Sequence, residues 1–241
     1  VKDLIKRKDT IITRGSTFEN QENLAESSLK QLKERYEGTR LGRQELYAEV
    51  LEDVSGSLWS RDLIEKSMMK YNEKLPDMKR IVIAVDPAVT ANKNSDETGI
   101  VVCGIDFQGK YYILNDISGK YSPDAWAKKV VEAYESYKAD KVIAEVNNGG
   151  DLVERVVKTQ HENVSYKSVR ATRGKFVRAE PIAALYEQKR VKHLERFSLL
   201  EDQLCSYNPE ITKQSPDRLD ALVWGLTELS ARSGIASWRI S

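Results

Sequence analysis

The run Ile81-Val82-Ile83-Ala84-Val85 constrains this chain more than any other feature. Five consecutive apolar residues, four of them β-branched, leave no face for water. The segment therefore predicts a central strand buried on both sides. Such a strand needs helices packed on each face, which puts the chain in the α/β class. Gly99 to Ile105 and Lys110 to Leu114 predict two more strands, joined by the hairpin chemistry of Phe107-Gln108-Gly109. Lys141 to Glu145 predicts a fourth strand and Val164 to Val169 a fifth. Ser122-Pro123 supplies an N-cap and a first-turn proline. Trp126, Val130, Ala133, Tyr134 and Tyr137 then follow at helical spacing. Further helices are expected near 151–158, 176–189 and 198–207, and from Ser215-Pro216 to about Ala231. The expected architecture is a mixed sheet, an antiparallel meander in front and parallel strands behind, flanked by helices.

Residues 1–60 read differently. Asp9 to Thr13 is strand-like, Leu24 to Tyr36 is helical and stopped by Gly38, and Arg43 to Leu51 is helical again. Ser57-Leu58-Trp59 opens a third short amphipathic piece. With few apolar residues for its size, this segment is expected to be the tail of one domain and a linker, with the main domain over 61–241. A chain of 241 residues buries a sizeable core without staples. Cys103 and Cys205 are accordingly expected to be buried, reduced thiols. Two histidines, His161 and His193, leave little room for zinc or triad chemistry. A net charge of +1 means that any nucleic-acid footprint must be a local patch. No apolar run is long enough for a membrane span, and no signal peptide is visible. The start at Val1 suggests a fragment.

Against this background the acids at strand ends stand out. Asp86 and Glu145 each terminate a buried strand, and ligands of open α/β sheets gather at the carboxyl ends of strands. An acid there is desolvated unless a cation pairs with it. The last helix offers Asp217 and Asp220. Leu219, Leu222, Val223, Leu226 and Leu229 form its apolar stripe. Asp220 lies on the flank of that stripe, roughly 120° from its centre. Asp217, nearly opposite the stripe, also has an explanation in the helix dipole. Asp220 is therefore favoured and Asp217 competes with it. Asp96 is a further candidate ligand, and Asp151 reads more simply as a helix cap. Magnesium and manganese want hard oxygen ligands. Two such ions about 4 Å apart activate water and hold the charge that develops in phosphodiester hydrolysis. Asp before Pro at a strand end is also an ordinary turn, so the signal is the set of acids rather than any one.

Arg170, Arg173, Lys175 and Arg178 fall in one stretch around Gly174, and Lys189, Arg190, Lys192 and His193 follow a helix later. Cations beside a glycine can approach a phosphate backbone. The competing reading is a solvated helix face, because Glu180 and Glu187 interleave with them.

Val85-Asp86-Pro87-Ala88, Ala144-Glu145-Val146-Asn147 and Ser215-Pro216-Asp217-Arg218-Leu219-Asp220-Ala221-Leu222 resemble the three acidic motifs of the large terminase subunit of tailed bacteriophages. Thr13 to Asn20 and Tyr36 to Leu46 resemble the end of that family's ATPase domain and its linker, and Arg173 to Pro181 also resembles the family. The resemblance implies a ribonuclease H-like nuclease domain with Asp86, Glu145 and Asp220 as catalytic metal ligands, binding two Mg2+ or Mn2+ ions. It implies a fragment of a motor that cuts concatemeric double-stranded DNA during packaging. The implied partners in the full-length protein are the portal and the small terminase subunit, and the implied location is the cytoplasm of an infected or lysogenic bacterium. Without a Gly-x-x-x-x-Gly-Lys-Ser/Thr loop, ATP hydrolysis is not expected of these residues. Two other functions stay open: a catalytically silent DNA-docking module, and a resolvase-like nuclease of the same fold.

Overall fold

The computed structural model describes residues 15–17, 23–30, 46, 56–88, 97–146, 150–172, 174–208 and 216–231. The strand expected at 9–13, the helix at 43–51, Asp96, Arg173 and Asn147-Asn148-Gly149 lie outside them. The chain divides into two compact units, residues 1–55 and 56–241. In the first, residues 26–30 are helical, and the Thr17 amide donates to the Leu46 carbonyl at 2.8 Å.

The second unit is built on a six-stranded sheet of order β5-β4-β1-β2-β3-β6. The strands are β1 (Met78–Asp86), β2 (Gly99–Asp106), β3 (Tyr111–Asp116), β4 (Lys141–Glu145), β5 (Tyr166–Val169) and β6 (Val191–His193). β1 pairs antiparallel with β2 and parallel with β4, so the apolar run lies inside the sheet, as its composition requires. β2 and β3 form the antiparallel hairpin, while β5 and β6 add in parallel at the two edges. The helices are α1 (Arg61–Ser67), α2 (Pro123–Ser136), α3 (Gly150–Gln160), α4 (Lys175–Glu187), α5 (Ser198–Ser206) and α6 (Asp217–Ala231).

Period-two alternation divides β1 between two cores. Val82 and Ala84 face one side with Tyr186, Leu200, Leu219, Leu222, Leu226 and Leu229. Ile83 and Val85 face the other with Trp126, Val130 and Val157. Burying each leucine of α6 contributes roughly 1.5–3 kcal/mol. α6 also approaches the sheet very closely. A Cβ on Gly225 would meet Cys103 Sγ at 2.6 Å, and one on Gly99 would meet the Asp217 carbonyl oxygen at 2.0 Å. Both cysteines are free and buried, and burial pushes the Cys103 thiol up.

Three differences from the sequence reading have physical causes. β6 is not expected from the sequence, where Lys192 and His193 group with the cations Lys189 and Arg190. Its pairing to β3 across the sheet is a long-range contact with no local signature. His193, grouped with the cations, is 0% exposed, and its Nε2 lies 2.8 Å from the Tyr186 hydroxyl. It therefore belongs to the core and not to a DNA-facing patch. Trp59, read as part of the linker, is buried with Ile64 in the core of the second unit, and Ser60 caps α1 by accepting from Leu63 N. Among the described residues no helix is long and apolar enough to cross a membrane.

Candidate active site

The parallel register of β1 and β4 pairs Val85 with Ala144. The next residue on each strand is an acid, so Asp86 and Glu145 emerge side by side at the same sheet end. Across β1 on its other side, Asp86 pairs with Gly99 of β2. The bare Gly99 lets the first turn of α6 settle there, with the Asp217 carbonyl over it. Asp217 and Asp220 are three residues apart and share a helix face. Four carboxylates from three elements thus converge. Asp86 is half-buried, while Glu145, Asp217 and Asp220 are 5%, 6% and 1% exposed.

The electrostatics follow from that crowding. Burial holds the Asp86 carboxyl well above the usual carboxylate range, and the charges of Asp220, Glu145 and Asp217 push it further. Burial also raises Asp220, although Lys175 and Arg178 pull it back down. Both cations come from α4. Lys175 Nζ lies 2.5 Å from Asp220 Oδ2. Arg178 reaches Asp220 Oδ1 at 3.3 Å and Glu145 Oε2 at 3.7 Å. Burial alone would lower Lys175, but the adjoining Asp220 carboxylate outweighs it and the ammonium is raised.

The sequence reading assigned Lys175 and Arg178 to DNA contact. The structure turns both toward the carboxylates, and the Arg178 side chain is only 10% exposed. Arg170, by contrast, is exposed, and directly follows Val169, the β5 residue that pairs with Glu145 in the parallel register. Asp217, explained from sequence by the helix dipole alone, is buried within the acid group, so the structure brings Asp217 and Asp220 together rather than choosing between them. Among the described residues no three ligand-type side chains stand close enough to enclose an ion as placed. The two α4 cations stand among these carboxylates as countercharge. The chemistry of the donor set, four hard carboxylates of which three are buried, fits a hard divalent cation.

Sequence reasoning missed the residues that hold this arrangement. Arg218, 4% exposed, donates through Nε to Glu97 Oε2 at 2.9 Å, through Nη1 to Asp116 Oδ2 at 2.6 Å and through Nη2 to the Ser118 carbonyl at 3.2 Å. Gln203 Oε1 accepts from the amides of Arg218 and Leu219 at 2.9 and 3.2 Å, closing the first turn of α6. Trp224 Nε1 donates to Glu145 Oε2 at 2.6 Å. Trp224 was findable, because it stands four residues after Asp220 and so shares its helix face. Glu97 and Gln203 carry no local signal at all.

The close approach at Gly99 gives a direct expectation. Gly99→Ala puts a methyl group 2.0 Å from a backbone oxygen, so α6 must lift. We expect a loss of about 1–3 kcal/mol in chemical denaturation and a displaced acid pair. Unchanged stability would show that the helix seats otherwise.

The fold and the site together define a ribonuclease H-like α/β domain with acids at the carboxyl ends of its central strands. The terminase RNaseH-like domain profile matches residues 83–229, and the chain belongs to that family. It is similar in fold to the large terminase of a thermophilic bacteriophage, at 13% identity and a TM-score of 0.53 over 84% of this chain and 52% of that one. The chain thus spans about half the length of that protein. It is similar also to the nuclease domain of the bacteriophage P22 large terminase, at 14% identity and a TM-score of 0.56 over 73% of this chain and 94% of that one. A third likeness is to a mutant of the large terminase subunit of bacteriophage Sf6 solved with calcium, at 12% identity and a TM-score of 0.53 over 70% of this chain and 98% of that one. No curated protein matches the chain in sequence.

Proposed function

We propose that this chain is the endonuclease portion of a viral DNA-packaging motor, cutting concatemeric double-stranded DNA with two magnesium or manganese ions. The observation that carries the proposal is the crowding of Asp86, Glu145, Asp217 and Asp220 at one sheet end, strong enough to hold Asp86 well above its ordinary range. Acids so placed oppose one another unless cations enter, and a structural role would not require four of them. Asp86, Glu145 and Asp220 would hold the ions, with Asp217 beside them. When bound, divalent ions supply an acidified water and neutralise charge on the phosphodiester. The protein's part is to orient the carboxylates, exclude bulk water by burial and keep Lys175 and Arg178 within reach of the same negative charge. Family membership and the calcium described for the Sf6 relative support the reading. The same reading assigns the activity to the cytoplasm of an infected or lysogenic bacterium, with the portal and small terminase subunit as partners of a longer protein.

The test is digestion of supercoiled plasmid by the purified chain in magnesium, manganese or EDTA, with Asp86→Ala alongside. Metal-dependent nicking or linearisation, absent in the variant, is expected. Equal cutting by the variant would sink the site assignment. DNA retention without cutting in any metal would favour the silent docking module instead.

Exposed Arg170 and inward-turned Arg178 should separate in binding. Arg170→Ala is expected to weaken DNA binding across all sequences and to reduce the salt slope by about 1. A slope identical to wild type would remove Arg170 from the phosphate contacts.

A further inference from the structure

Trp224 touches two of the charged groups of this site, Glu145 and Arg178. Its indole Nε1 donates to Glu145 Oε2 at 2.6 Å. Its ring lies under the Arg178 guanidinium, 4.6 Å from the guanidinium carbon to the ring centroid. The same guanidinium reaches Asp220 Oδ1 at 3.3 Å and the same Glu145 Oε2 at 3.7 Å. One aromatic side chain therefore touches an acid of β4 and the cation of α4, from a position one helical turn beyond the acid of α6.

Each of these contacts has a chemical consequence. A charge-assisted hydrogen bond at this length is directional and favours one rotamer of a buried carboxylate. A tryptophan face holds a guanidinium without neutralising it, which leaves the Arg178 charge directed at the carboxylates. A phenylalanine in this place would keep the aromatic face and lose the donor, and a glutamine would keep a donor and lose the face. Ordinary packing does not demand the indole nitrogen, because a half-buried tryptophan could turn it to water.

We propose that Trp224 is a positioning residue that sets the Glu145 carboxylate for divalent-metal binding, acting through its indole N–H. This rests on the metal-centre reading above. Groups that orient a metal ligand by hydrogen bonding typically change affinity by about 10–100-fold when removed. Trp224→Phe keeps an aromatic face for Arg178 but deletes the donor. Trp224→His keeps a ring N–H.

The experiment is a calorimetric manganese titration of the full chain without DNA, for wild type, Trp224→Phe, Trp224→His, Glu145→Gln and the Trp224→Phe/Glu145→Gln pair, with melting in EDTA for each. We expect Trp224→Phe to raise the manganese Kd about ten-fold, Trp224→His to recover part of that loss, and the pair to bind no more weakly than Glu145→Gln alone. Wild-type affinity in Trp224→Phe, equal impairment of the Phe and His variants, or losses that multiply in the pair would each overturn the role of Trp224 while leaving the metal centre standing. If Trp224→Phe fails to fold, the comparison of wild type with Trp224→His decides: full loss of binding in a folded His variant overturns the proposal. No manganese binding by wild type would sink both readings.

Discussion

Asp86→Asn should abolish metal-dependent cutting while leaving the apo protein at least as stable as wild type. Losing one ligand of an ion that contributes several kcal/mol to the transition state corresponds to a fall in rate of about 10^3-fold or more. The stability half follows from the raised carboxyl. Burial, then Asp220, Glu145 and Asp217, hold Asp86 well above its ordinary value. A carboxyl raised on folding binds its proton more tightly in the native state than in the unfolded one. Apo stability is then greatest below the unfolded value and falls as pH rises toward the folded one. A neutral amide removes the charge that causes this decline. Melting in EDTA should therefore show a Tm for Asp86→Asn equal to or above that of wild type, with the gap widening from acidic to neutral pH. Manganese should raise the wild-type Tm and leave the variant nearly unmoved. A variant that melts well below wild type would mean that Asp86 is a structural acid, and the catalytic assignment would lose its main support.

Arg218→Ala should have the opposite profile, with a large loss of stability in every buffer. Its guanidinium is almost fully enclosed and pairs with Glu97 and Asp116, which raises it above its ordinary value against the opposing effect of burial. Removing one partner of a buried ionic group strands the others, at a cost of about 3–5 kcal/mol. For a unit of this size that corresponds to a Tm lower by roughly 10 °C. Because the same side chain ties the first turn of α6 to the end of β3 and to the approach to β2, Asp217 and Asp220 should lose their placement too, and cutting should fall at temperatures where the variant is still folded. Neutralising the partners as well, in the triple change Arg218→Met with Glu97→Gln and Asp116→Asn, should return most of the stability but not the activity. A stable Arg218→Ala would show that solvent replaces the guanidinium, and Arg218 would drop out of the account of the site.

What the sequence by itself determined was local. The largely β-branched run at 81–85 pointed to a central strand, because it has no polar face and its stiff side chains suit a pleated sheet better than a helix. Asp86 and Glu145 had to lie at strand ends because each directly follows apolar residues. The hairpin, the Ser122 cap and the stripe on α6 are short-range patterns of the same kind, and the family motifs lie on these same stretches. The tertiary structure decided everything that depends on which surfaces meet. It turned Lys175 and Arg178 inward onto carboxylates, enclosed Asp217 beside Asp220, and placed Trp224, Glu97, Asp116 and Gln203 around them. It also made β6 from Val191, Lys192 and His193, the last two of which look in sequence like part of a cationic surface. Helical and strand periodicity report which way a side chain faces on its own element. Where an ion pair forms depends on the packing of elements far apart in the chain, and in a buried site the cost of an unpaired charge selects the pairs.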